Sequence, residues 1–261
     1  LSSMSGLTSQ PNLNSMVAAL AHTRRDTQLD FDNLNRLSDY WETVRTWYYP
    51  FEEDLKSPTA DVYHHEMPGG QYTNLRQQAK SLGLEERWHE IADTYAEVNM
   101  LFGDIVKVTP SSKVVGDMAL FMVTNGLTAR DILDPTRKTT FPRSVVEMMQ
   151  GMIGWPPDGF PKVLQKIVLD SAGEKPIKGR AGAKLPKVDF SATKKELKAK
   201  IGREPSDTDV LSYLLYPQVF LDFEKHRQRY SDTSVIPTPN FFYGLKPGEE
   251  VDIEIEPGKT L

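Results

Sequence analysis

Apolar side chains recur along most of this chain every three to four positions, the period of an α-helix packed on one side. Leu34, Leu37, Trp41, Val44 and Tyr48 keep that spacing, which predicts an amphipathic helix over 31–48, ended at Tyr49-Pro50. Trp88, Ile91, Tyr95 and Val98 share one face of a second helix, over 85–102, with Gly103 as its stop. Leu75, Ala79 and Leu82 mark a helix that stops at Gly83. Val115, Met118, Leu120 and Met122 mark another, capped by Ser111 or Ser112 and ended at Asn125-Gly126. Val17-Ala-Ala-Leu20 belongs to a helix reaching about Thr23, with Pro11 just inside its start after Thr8-Ser9-Gln10. Further helices are predicted at 142–150, 160–170, 192–201, 206–215 and 217–229.

Three stretches break the period. Pro58, Pro68 and Gly69-Gly70 mark a loop, and Ile105–Val108 reads as a short extended piece. Residues 172–192 repeat Lys and Gly around Pro176 and Pro186 with few large apolar side chains, which predicts a linker or a flexible exposed arm. After Pro237 and Pro239 the pattern alternates, so Phe241-Phe-Tyr243 and 250–256 read as strands joined through Lys246-Pro-Gly248. The predicted class is mainly α with a short β-rich C-terminal segment.

Composition narrows this little. The 261 residues carry 39% hydrophobic and 26% charged side chains, ordinary for a globular protein. A net charge of −5 argues against a general affinity for nucleic acid or for acidic membranes, which select basic surfaces. No apolar run approaches the roughly 20 residues of a membrane span. Cysteine is absent, which removes disulfides and thiol chemistry. Leu1 is neither an initiator methionine nor part of a signal-like build, and the alternation at 251–256 runs to the end. Both termini therefore read as cuts in a longer polypeptide.

Three strings carry candidate chemistry. In Met4-Ser-Gly-Leu-Thr-Ser-Gln-Pro11, Gly6 allows close backbone approach, while Thr8, Ser9 and Gln10 offer hydroxyl and amide groups at a helix start. The same residues also make an ordinary turn and cap. In Tyr63-His-His-Glu-Met-Pro-Gly-Gly-Gln-Tyr-Thr-Asn-Leu75, adjacent His64 and His65 project in different directions and no cysteine assists. A structural loop, its backbone bonded by polar side chains, is expected there rather than a metal. Lys107-Val-Thr-Pro-Ser-Ser-Lys-Val-Val-Gly-Asp-Met-Ala119 lacks the glycine run of a phosphate loop. It reads as a capped helix with a solvated Lys113, and Gly116 predicts close packing on a neighbour. The aromatic stripes Trp41-Trp47-Tyr48-Tyr49 and Trp88-Tyr95 read as core.

These strings, in this order, resemble the pyruvate carboxylase family of biotin-dependent carboxylases. Met4–Pro11 is similar to the end of that family's carboxyltransferase barrel. His65–Leu75 and Gly103–Asp117 are similar to two long signatures of the conserved carboxylase region that follows. Tyr216-Pro-Gln-Val-Phe-Leu-Asp-Phe223 and Pro237-Thr-Pro-Asn-Phe-Phe-Tyr-Gly-Leu245 complete a likeness covering essentially the whole chain. The resemblance implies the end of a TIM-type (β/α)8 barrel over 1–30. It implies a helical funnel over 31–236, and the start of the allosteric, or tetramerisation, domain over 237–261.

The resemblance also implies a reaction: transfer of CO2 from carboxybiotin to pyruvate, giving oxaloacetate for anaplerosis and gluconeogenesis. Thr8 matches the threonine that shuttles a proton between the pyruvate methyl group and biotin, so Thr8 is the expected catalytic residue. Thr8, Ser9 and Gln10 are expected to bind biotin and substrate. The family's divalent metal (Mn or Zn), with its aspartate, carboxylated lysine and His-x-His ligands, and its substrate arginine belong upstream of Leu1. ATP and Mg belong to a biotin carboxylase domain of the same polypeptide, which also carries the biotin carrier domain. A homotetramer is implied, cytoplasmic or, in a eukaryote, in the mitochondrial matrix, with no metal bound by this stretch and no activity from it alone. Two other readings compete: an oxaloacetate decarboxylase α-subunit or transcarboxylase subunit, and a non-catalytic helical assembly scaffold.

Overall fold

The computed structural model describes residues 2–5, 12–52, 60–231 and 233–252, and among these no strand occurs. The chain divides into two compact units, 1–185 and 186–261.

The first unit opens with α1 (Ser2–Ser5), α2 (Leu13–Leu20) and α3 (Phe31–Trp47). There follow α4 (Val62–His65), α5 (Gly69–Ser81), α6 (Trp88–Leu101) and α7 (Ser111–Asn125). The unit is completed by α8 (Ala129–Leu133), α9 (Arg143–Gln150) and α10 (Lys162–Ala172). Its core is the one the helical spacing predicts: Leu75 on α5, Ile91, Tyr95 and Val98 on α6, and Val115, Met118 and Met122 on α7 are all buried. Val145 and Met149 on α9 and Leu164 and Val168 on α10 join them. Burying each large apolar side chain contributes about 1.5–3 kcal/mol, so the α5–α10 layer is the stable part of the unit.

Helix ends obey local chemistry, not always the one read from sequence. Asn12 caps α2, its Oδ1 accepting from Ser15 N at 3.1 Å. Neither Ser111 nor Ser112 caps α7, because Pro110 holds the cap position. Ser111 Oγ instead turns back, donating to the carbonyls of Val106 (2.8 Å) and Val108 (2.6 Å) and accepting from Val108 N. Gly126, at φ 62°, closes α7 in the left-handed region where a side chain would be strained. Gly69 and Gly70 were expected in a loop, but they open α5 behind Pro68. Pro68 fixes φ and stands where a cap needs no N–H.

The second unit holds α11 (Phe190–Ile201), α12 (Asp207–Leu215), α13 (Pro217–Tyr230) and α14 (Thr238–Tyr243). Leu197, Ile201, Val210, Tyr213 and Phe220 form its small core. A buried carboxylate ties it further: Glu224 accepts from Arg203 Nε (2.8 Å) and Nη2 (2.9 Å) and from Arg227 Nη2 (2.8 Å).

The strand expected at Phe241-Phe-Tyr243 is the helix α14. Pro239 lies in its first turn and Gly244, φ 72°, ends it, and these two breakers outweigh the β-preference of three aromatics. Residues 250–252 form no strand, and 253–256 lie outside the described residues. Between Gly173 and Asp189 the only helical element is a 3-10 turn at Ala181–Lys184, and the boundary between the units falls there.

Candidate functional site

Thr8, Ser9 and Gln10 lie outside the described residues, but the chain on both sides of them is described. On the near side, Arg45 Nη1 of α3 donates to the Ser3 carbonyl at 2.7 Å. Ser3 Oγ donates to the Ser38 carbonyl at 2.7 Å and lies 3.0 Å from Ser38 Oγ. On the far side, Asn14 Nδ2 donates to Asn35 Oδ1 at 2.7 Å. Asn35, Ser38 and Arg45 are three and seven residues apart, so they occupy one face of α3.

That helix is well capped at its start and complemented in charge at both ends. Asp30 caps it, accepting from Asn33 N at 3.0 Å, with Asp32 in its first turn and Arg45 in its last, both favourable to the helix dipole. Arg45 Nε also pairs with Glu52, and that hydrogen bond pushes the guanidinium pKa further up. Sequence reading missed this polar face, having followed only the apolar stripe of the same helix. The signal was present in the spacing of Asn35, Ser38 and Arg45. The aromatic stripe on α3 is not the core expected: Tyr49, just beyond it, is 74% exposed, whereas Trp88 and Tyr95 are buried.

The two other strings meet each other. Lys107 Nζ, its side chain only 13% exposed, contacts Glu66 Oε2 at 2.6 Å. That contact holds the Glu66 carboxyl below the ordinary glutamate range. Glu66 itself sits at φ 55°, ending α4. A Cβ built on Gly116 of α7 would stand 2.4 Å from Gln71 Nε2 and 3.0 Å from Leu75 Cδ1, the close packing its sequence position predicts. Lys113 is exposed and paired with Asp117 at 2.7 Å.

The two histidines separate. His64 faces solvent 3.4 Å from Asp93. His65 is buried, its Nδ1 accepting from Met67 N at 2.9 Å, and burial lowers its pKa. Among the described residues no group of three or more His, Asp or Glu side chains converges, so they supply no ligand set for a metal. A cleft of 790 Å3 beside α10, lined by Arg137, Lys138 and Phe141 among others, contains none of the candidate residues.

The chain is similar to known proteins over essentially its whole length. Pyruvate carboxylase of Bacillus subtilis (strain 168) is 51% identical over 261 residues, covering 100% of this chain and 23% of the relative. Pyruvate carboxylase 1 of Caenorhabditis elegans is 50% identical over 261 residues, covering 99% and 22%. This chain thus spans less than a quarter of these relatives. The carboxyl transferase domain from Rhizobium etli pyruvate carboxylase, solved with pyruvate and biocytin, superposes with a TM-score of 0.87 at 54% identity, over 98% of this chain and 43% of that one. The complete multifunctional pyruvate carboxylase from Rhizobium etli gives 0.86 at 53%, over 99% and 25%. A family model described as the conserved carboxylase domain matches residues 62–261. The chain belongs to the conserved carboxylase domain family.

Proposed function

We propose that this chain is the closing part of the carboxyltransferase domain of a pyruvate carboxylase, a biotin-dependent enzyme that makes oxaloacetate from pyruvate. The observation that carries the reading is the likeness over 98% of the chain, at 54% identity, to a carboxyl transferase domain solved with pyruvate and biocytin. On this reading residues 1–30 end a TIM-type barrel, 31–236 form the funnel, and 237–261 lead into the allosteric domain. The intact protein is a homotetramer carrying biotin carboxylase and biotin carrier domains, which use ATP. It works in the cytoplasm or, as the name of the human relative indicates for that protein, in mitochondria.

Biotin, when bound, supplies the CO2. Its ureido ring presents a carbonyl acceptor and N–H donors, and the hydroxyls of Thr8 and Ser9 with the carboxamide of Gln10 match both kinds of group. Thr8 Oγ1 would accept a proton from the pyruvate methyl carbon, which would bond the CO2 leaving the ureido nitrogen, and would pass its own hydroxyl proton to the ureido group that has lost that CO2, so the side chain ends as it began. A hydroxyl suits this relay because it donates and accepts without changing net charge. The divalent metal draws its ligands from elsewhere in the domain.

The intact protein, given pyruvate, bicarbonate and MgATP, forms oxaloacetate, and avidin, which sequesters biotin, stops it. Oxaloacetate formation that persists with avidin contradicts the proposal, as does none without it.

A further inference from the structure

From Lys175 to Val188 the chain carries five cations, Lys175, Lys178, Arg180, Lys184 and Lys187, and no carboxylate, in a protein whose net charge is −5. Elsewhere its cations stand beside their own counter-charges: Lys113 with Asp117, Arg143 with Glu147, Lys166 with Asp170 and Lys200 with Glu196. Lys175, Lys178, Arg180 and Lys187 are exposed, and none of them pairs with a carboxylate among the described residues. The stretch is nevertheless held at its base. Ile177 N donates to the Gln150 carbonyl at 2.8 Å, and Glu174 accepts from Gln150 Nε2 at 3.0 Å and from Arg143 Nη1 at 3.3 Å. Beyond that anchor the chain turns at Gly179, φ 79°, and Leu185 stands exposed between two of the cations in sequence.

We propose that this arm is a docking strap for an acidic face on another domain of the same polypeptide. The proposal rests on the reading of the chain as part of a longer carboxylase, since these residues cover 23% of the Bacillus subtilis relative. Magnitudes select that occupant. Exposed ion pairs are individually weak, and a handful of them gives a dissociation constant of about a millimolar, too weak to hold separate molecules together. A domain on the same chain meets the arm at an effective concentration of about a millimolar, so the same contacts suffice. Nucleic acid fits less well. Its dense charge acts over the whole surface, and outside the arm this chain is more acidic than its net −5. A discrete acidic face meets the cations of the arm alone, and Leu185 adds an apolar contact. Such a contact forms and breaks readily and weakens with salt.

The test labels the lysines of the intact carboxylase with an amine reagent and joins touching amines and carboxylates with a zero-length carbodiimide. Both are done at about 0.1 M and about 1 M salt, where charges are screened beyond about 10 Å and about 3 Å. At the lower salt Lys175, Lys178 and Lys187 label about 5-fold or more slowly than at the higher, relative to the exposed Lys195. They cross-link to Asp or Glu outside these 261 residues. In Lys178→Glu/Arg180→Glu, which changes two exposed side chains, Lys175 and Lys187 label at the fast rate at both salts while the melting temperature is unchanged. Lys178→Arg keeps the protection. Equal rates at the two salts, or cross-links confined to carboxylates of residues 1–261, overturn the proposal. Protection that appears only on adding an oligonucleotide overturns it in favour of nucleic acid. Absence of biotin from the intact protein, by avidin blot, overturns the carboxylase reading instead and leaves the labelling result standing.

Discussion

His65 shows how a residue that looks like chemistry can be structure. Its Nδ1 accepts a backbone hydrogen bond from Met67 and its ring lies 5.4 Å from that of Tyr72. Both the bond and the burial require the neutral imidazole. Its folded pKa lies below the ordinary value of about 6.5, so protons bind the unfolded chain better. The stability it contributes is complete above about pH 6.5 and is lost as pH falls from there toward the folded pKa. Between pH 7.5 and pH 5 the melting temperature therefore drops further in the wild type than in His65→Gln. Equal drops would remove His65 from the account. The divergence of His64 and His65 was legible, because neighbours in a chain point different ways. Which of the two is buried was not, since it depends on the packing of Tyr72.

At the scale of elements, apolar spacing located α5, α6, α7, α9, α10, α11, α12 and α13 because each buries one stripe on the core of its unit, and α3 although it buries only Val44. It gave no warning of α4, α8 or α14, which are too short to show a period. In α14 the three aromatics misled, and the informative residues were the breakers Pro239 and Gly244. The contact of α5 with α7 rests on a single missing methyl group. Gly116→Ala drives a Cβ into Gln71 and Leu75, both buried, and destabilises the fold by about 1–3 kcal/mol. Because the obstacle is chiefly the Gln71 amide, the double variant Gly116→Ala/Gln71→Ala is more stable than the sum of the two single losses predicts. Denaturant titration of the four proteins gives the coupling, and simple additivity would mean that the two helices do not meet as described.

At the scale of the molecule, the chain is less than a quarter of the pyruvate carboxylases it resembles, and its candidate site is correspondingly partial. The family was readable from long strings in a fixed order. The site was readable only as Thr8, Ser9 and Gln10, since the contacts of α3 with the chain on either side of them join residues 35 or 42 positions apart, or 21 for Asn14 and Asn35. No local pattern announces such contacts. The central claim is that Thr8 carries the proton in the second half-reaction and has no part in the first. The most direct measurement is the pair of half-reaction rates in the intact Thr8→Ala enzyme. Oxaloacetate formation falls by about 100-fold or more while biotin-dependent ATP cleavage keeps its wild-type rate. Oxaloacetate formed at near wild-type rate, or both rates lost together, would contradict it.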